Sequence, residues 1–162
     1  MKTMNKQEIR EYVLSQIGDT TALGSKTFPK RVQKKIIRLC TPIFREHYKV
    51  IERYANIVTY VIDVNMPFDD DYVNDRGEFT AVEWYGGNAQ ELVFRYEDYQ
   101  MGNHYDVDVN MPISWLDDDS LEKYEKQVQS NIVNEINKQI NKKQDEILKL
   151  RKFRETFRRG SH

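Results

Sequence analysis

Cysteine, glycine and long apolar runs are scarce in this sequence, and each scarcity excludes a class of structure. Cys40 is the only cysteine, so neither an intrachain disulfide nor a cysteine-rich zinc site can form. The seven glycines make no phosphate-loop or dinucleotide-binding pattern, so we predict no cofactor. No apolar run approaches the roughly 18 residues of a membrane span, and residues 1–18 lack the apolar segment of a signal peptide. These absences favour a cytoplasmic protein.

Cations are almost missing from the middle of the chain. Residues 56–120 hold only Arg76 and Arg95 against 15 Asp and Glu. Residues 1–55 hold 12 Lys and Arg against 5 acids, and residues 121–162 hold 11 against 6. An acidic middle therefore lies between two basic flanks, a segregation that the net charge of −1 hides.

Two helices are predicted in the first third of the chain. Asn5 followed by Glu8 reads as a capping box, and apolar residues then recur at helical spacing up to Gly18, which predicts a helix over 6–17. Pro29 suits the first turn of a second helix, predicted over 29–54. Pro42 lies inside it and predicts either a kink or two abutting helices.

From Asn56 the apolar period changes to two, which predicts a sheet over 56–112. The four strands expected there are 60–66, 79–85, 92–96 and 105–111, joined as an antiparallel meander. The pentapeptide "DVNMP" ends the first and the fourth strand, at 63–67 and 108–112. Each copy would place its Asp and Asn on the same solvent-facing side of the sheet, and each Pro would end its strand.

A long C-terminal helix is predicted over 120–158, beginning after Asp119. At ~1.5 Å per residue it would reach roughly 58 Å, more than the width of a compact domain of this size. Either it breaks within 141–146, or its distal half pairs with another chain as a coiled coil, with Lys143 and Arg154 in the seam. In the second case the chain is a structural or assembly protein that forms a homodimer through Val133, Ile136, Ile140, Ile147, Leu150 and Phe157.

The fold class predicted from these elements is α+β, with a four-stranded antiparallel meander packed on helices in the order α-α-β-β-β-β-α. One domain is expected over residues 1–159. Residues 160–162 have the sequence Gly-Ser-His, which resembles the junction to a histidine tag, and we assign them no function.

The functional prediction rests on the acidic side of the sheet. Collected carboxylates repel one another, so a folded protein gains nothing from them without a counter-charge or a partner. We predict a non-enzymatic protein-binding module, and the narrower hypothesis is a phage or mobile-element inhibitor that blocks a basic, nucleic-acid-binding host protein. The predicted binding residues are Asp63, Asp69, Asp70, Asp71, Glu83, Glu97, Asp106 and Asp108. Neutralisation of this side by the basic helices is the competing explanation.

A metal-dependent nuclease is a third hypothesis. Asp106 and Asp108 are two residues apart on one strand, with His104 beside them, and Asp63 or Glu83 could lie near. Oxygen-rich clusters suit Mg²⁺ or Mn²⁺, but this spacing is permissive rather than specific. A solvated strand explains it as well, so we predict no metal site.

Direct nucleic-acid binding has one candidate, the basic side of the second helix. Seven cations between Lys30 and Lys49 could contact phosphates. A charged stripe on a helix is usually a solvated surface, and the net charge of the chain opposes DNA binding. We therefore predict no direct nucleic-acid partner.

Overall fold

The computed structural model describes residues 3–61, 77–100 and 103–160 of the chain. Helices and strands dominate the described residues, and a short 3-10 turn at 113–116 precedes the last helix. In chain order the elements are α1 (Lys6–Ile17), β1 (Ser25–Thr27), α2 (Lys30–Val61), β2 (Glu78–Tyr85), β3 (Glu91–Gln100), β4 (Asn103–Pro112) and α3 (Ser120–Gly160).

The predicted α+β class, the four-stranded antiparallel sheet and the long C-terminal helix are confirmed. The first helix, α1, also has the predicted bounds. Its capping box forms as expected: the backbone N–H of Glu8 donates to the Asn5 side chain at 2.8 Å, and the N–H of Asn5 donates to Glu8 Oε1 at 3.2 Å. Gly18 ends the helix with a φ of 78°, a conformation that favours glycine.

α2 is longer than the sequence predicts. It runs through Pro42 as one helix, so the alternative of two abutting helices is wrong, and it ends at Val61 rather than near residue 54. Residues 56–61, predicted to open the sheet, are helical instead, because the apolar residues of this stretch fit a spacing of three and four as well as a spacing of two. The rest of the predicted first strand, 62–66, lies outside the described residues.

The first strand of the sheet comes from a different segment. β1 lies in a stretch predicted to be a loop, and it pairs antiparallel with β2, with Ser25 opposite Tyr85. Its three residues are all exposed, so no apolar alternation marks it as a strand. The sheet order is β1-β2-β3-β4, and β2 to β4 follow the predicted strands closely. The second "DVNMP" copy ends β4, whereas the first copy lies outside the described residues.

One face of the sheet packs on α2 through an aromatic cluster. The Phe44 ring lies 4.8 Å from the Phe79 ring and 5.1 Å from the Phe94 ring, measured between centroids. All three residues are buried, together with Tyr96 and Met111 from the same side of the sheet. Burial of this apolar area is the main term that fixes the sheet against the helix.

His47 extends the same cluster toward the C-terminal part of the fold. Its ring stacks on Trp115 at 3.8 Å between centroids with an interplanar angle of 6°, and it lies 4.8 Å from the Tyr124 ring. The Nδ1–H donates to the carbonyl oxygen of Ile43 at 2.7 Å. Burial lowers the pKa of His47 to about 4, and nearby Lys6 lowers it further against the hydrogen bond to Ile43.

α3 is one continuous helix of 41 residues, so of the two predicted alternatives the break within 141–146 is wrong. Its first turns pack on the domain through Tyr124, Val128 and Ile132, which are buried. Tyr54 of α2 donates to the Glu125 carboxylate at 3.2 Å and accepts from Gln129 at 2.7 Å. From residue 140 to residue 160 every position is exposed.

Replacing Pro42 should stabilise the protein. Pro42 is exposed within α2 and cannot donate the N–H that the carbonyl of Arg38 would otherwise accept. Pro42→Ala should therefore raise the free energy of unfolding by about 1–3 kcal/mol, measured by urea denaturation. Pro29→Ala is the matched control, because Pro29 precedes the helix and its missing N–H has no helical acceptor. An equal effect of both substitutions would contradict the assignment of the cost to the helix interior.

Stability should fall as the pH drops from about 6.5 to about 4 because of His47. Its pKa is about 4 in the folded state against 6.5 ordinarily, so in this window the unfolded chain binds a proton that the folded protein does not. The loss attributable to His47 is roughly 3 kcal/mol across the window, and full stability is present above pH 6.5.

The measurement is urea denaturation at several pH values for the protein and for His47→Asn. The unfolding free energy of the variant should depend less steeply on pH, whatever its absolute value. The reason is that Asn cannot bind the proton that His47 takes up in the unfolded chain. NMR titration of the His47 ring checks the cause directly. A midpoint near 6.5 would contradict the prediction.

Candidate protein-binding site

The outward side of the sheet carries the acidic residues. In β3 the buried residues Leu92, Phe94 and Tyr96 face α2, so the residues between them face the opposite way. Cross-strand pairing extends this side over β2 and β4. We define the acidic sheet face as the six carboxylates and one cation on this side: Glu78, Glu83, Glu91, Glu97, Asp106, Asp108 and Arg95.

Three of the carboxylates form a row across the sheet. Glu78 lies opposite Glu97, and Glu97 lies opposite Asp106. Directly opposed residues of an antiparallel pair have Cβ atoms about 4.5–5.5 Å apart, and like charges at this distance destabilise the pairing. The row therefore concentrates negative charge at this end of the sheet.

Arg95 lies at the centre of the acidic sheet face. Its guanidinium is 3.8 Å from Asp106 Oδ2 and 3.9 Å from Asp108 Oδ1. All three side chains are about half exposed, and both distances are long for an ion pair, so water screens the attraction. Within the described strands β2, β3 and β4, Arg95 is the one cation that shares this side with the six carboxylates.

The pKa of Tyr85 responds to the negative charge at the other end of the face. The charge of Glu83 raises the pKa of Tyr85, and the charge of Asp108 adds to the effect. The Tyr85 hydroxyl also donates to Glu83 Oε2 at 3.4 Å. Between β2, β3 and β4 the surface has a shallow depression of about 310 Å³, lined by Ala81, Val82, Glu83, Tyr85, Val93, Arg95 and Asp108.

Sequence reasoning found part of this face. Four predicted binding residues lie together on it: Glu83, Glu97, Asp106 and Asp108. The other four predicted residues, Asp63, Asp69, Asp70 and Asp71, lie outside the described residues.

Glu78 and Glu91 belong to the face but were not predicted. Glu91 accepts a hydrogen bond from Asn110 at 3.1 Å, across the β3–β4 pair. Its position could have been found, because it immediately precedes the apolar alternation that starts at Leu92. The position of Glu78 depends on an irregularity in the pairing between Phe79 and Ala81, which has no signal in the sequence.

The basic side of α2 is turned away from the sheet. Val32, Ile36 and Cys40 are buried on the side of α2 that faces the core. Lys34 and Arg38 are exposed on the opposite side of the helix. These two cations therefore project away from the acidic sheet face, whereas Arg45 of the same helix lines a depression together with Glu78.

The metal-site and nucleophile hypotheses can be compared with the described side chains, which do not include those of His104 and Asp63. Among the side chains that the structure describes, no group of three His, Cys, Asp or Glu is arranged to hold a metal ion. Cys40 is buried, as the sequence predicts, and burial raises the pKa of its thiol to about 12. The thiol therefore stays protonated at neutral pH and is not a nucleophile.

Comparison with known proteins finds no match for this chain among protein-family models, curated proteins or solved structures. Within the described part of the chain, no helix combines the length and the apolar character needed to cross a membrane.

Glu83→Gln should lower the pKa of Tyr85 toward its ordinary value of 10.0, because the charge of Glu83 is the largest cause of the upward shift. The measurement is NMR titration of the Tyr85 ring carbons at high pH. Glu52→Gln, a neutralised carboxylate on α2, is the control and should leave the Tyr85 titration unchanged. If neither substitution changes the pKa of Tyr85, the negative potential expected at this end of the face is absent.

Proposed function

We propose that this chain is a non-enzymatic protein-binding module whose acidic sheet face docks on a basic surface of another protein. The observation that carries the proposal is the acidic sheet face itself. Six carboxylates share one side of the β2–β3–β4 sheet with a single arginine, while α2 covers the opposite side.

The arrangement suits recognition by charge rather than by an apolar pocket. Glu78, Glu97 and Asp106 follow one another across strands about 4.8 Å apart, which concentrates carboxylates along one row of the face. A partner that presents Lys or Arg side chains would be attracted to this row and would release counter-ions from its own surface. Binding of this kind weakens as salt is added.

A nucleic-acid-binding protein is the partner that fits this chemistry best. Its binding groove is lined with cations placed for phosphates, and a rigid negative sheet would compete for the same cations. In its narrower form the proposal is a cytoplasmic inhibitor, encoded by a phage or mobile element, that blocks a host nucleic-acid-binding or defence protein. The sequence supports this form through its richness in Asn, Lys, Ile and Tyr, which is typical of AT-rich genomes.

Charge reversal on β4 tests the proposed surface. Asp106→Lys with Asp108→Lys should abolish partner binding, because two attractive charges become repulsive beside Arg95. Both side chains are about half exposed, so the change in unfolding free energy should stay within about 1 kcal/mol. The matched control is Glu11→Lys with Glu52→Lys, which makes the same change in net charge at exposed positions of α1 and α2.

The binding assay starts with affinity capture from nuclease-treated host lysate, followed by identification of captured proteins by mass spectrometry. Support requires a basic partner that the control variant still captures, that the β4 variant loses, and that duplex DNA displaces. Retained binding by the β4 variant would reject the acidic sheet face as the site. Equal loss in both variants would show that net charge, rather than this face, determines capture.

A further inference from the structure

The distal part of α3 is an isolated helix in the described structure. We define the distal segment as residues 140–160, where every position is exposed. Twenty-one residues at ~1.5 Å each extend it about 30 Å beyond the last packed turn. A helix gains most of its stability from packing of an apolar side, so a bare helix of this length is marginal in water.

Apolar side chains continue along this segment after the domain ends. Ile136 still packs partly against the core. Beyond it, Ile147 is 47% exposed, and Leu150 and Phe157 are each 70% exposed. The row repeats every seven residues, with Val133, Ile140 and Ile147 at one seam position and Ile136, Leu150 and Phe157 at the other.

We propose that the distal segment pairs with the same segment of a second copy of this chain, as a parallel two-stranded coiled coil. A heptad row fits best against a row of the same period, because both helices then keep their seams in contact along a left-handed supercoil. A second copy supplies such a row in register. Val133, which is exposed beside the buried Ile132, begins the seam where the domain ends.

Flanking charges favour the parallel orientation. Glu146 precedes the seam residue Ile147, and Arg151 follows the seam residue Leu150. In a parallel pair these two flanking positions face each other between copies, so each Glu146 meets an Arg151 of the second copy. In an antiparallel pair, the position that directly follows the Leu150 seam position in each heptad faces the same position of the other copy instead. This position is occupied by Gln144, Arg151 and Arg158, which offer no opposite charge.

Two cations in the seam limit the affinity. Lys143 and Arg154 occupy seam positions, and register places each against its own copy. The distal segment as a whole carries eight Lys and Arg against three Asp and Glu. Added salt should therefore tighten the dimer by screening this repulsion, the opposite of the salt effect on an acidic partner.

Sedimentation equilibrium of the full chain, at concentrations up to about 0.3 mM, measures the dimer directly. Ile147→Glu should weaken dimerisation by more than about tenfold, since it places two like charges in the seam. Leu148→Glu is the matched control: Leu148 is 53% exposed, close to the exposure of Ile147, but lies outside the seam. It should leave the dimer intact. Both sites are exposed, so thermal unfolding should be unchanged in both variants when it is measured at a concentration where the chain is monomeric.

A second variant should strengthen the dimer instead of weakening it. Lys143→Leu with Arg154→Leu fills the two cationic layers with apolar side chains and should tighten the dimer about tenfold or more. The proposal is overturned if the chain stays monomeric over the whole concentration range at high salt. It is also overturned if both glutamate variants behave alike, or if the double leucine variant fails to tighten the dimer. Binding of a polyanion that the double leucine variant loses would assign these cations to an acidic partner instead.

Discussion

The packing of α2 against one side of the sheet is the constraint on which the rest of the structure depends. Phe44 contacts the rings of Phe79 and Phe94, and its helix also carries His47 against Trp115. This contact buries the apolar alternation of the strands and ties the sheet to the start of α3. Because it uses only one side of the sheet, the opposite side is left to charged residues.

The acidic sheet face is compatible with a stable fold because the core lies on the other side of the same strands. Removal of apolar surface from water contributes about 25 cal/mol per Å² to folding. The buried aromatic rings between α2 and the sheet therefore stabilise strands whose other side is charged.

The two proposals describe one molecule with separate surfaces. In a parallel pair of α3 helices, both folded domains would lie at the same end of the coiled coil. Two acidic sheet faces would then reach one partner, or two adjacent partners, together. The second contact would form at a high effective concentration, which strengthens weak electrostatic binding without any new contact type.

The sequence by itself determined the elements whose local signals agree. The capping box fixed α1, alternation fixed β2 to β4 and their acidic side, and the heptad row marked the exposed side of α3. Tertiary structure decided what local patterns leave open. Residues 56–61 fit both periods, and the continuation of α2 made them helical; β1 has no apolar alternation and is a strand only because β2 offers it a free edge. Likewise, the opposition of Glu78, Glu97 and Asp106 follows from strand register, which depends on contacts between distant residues.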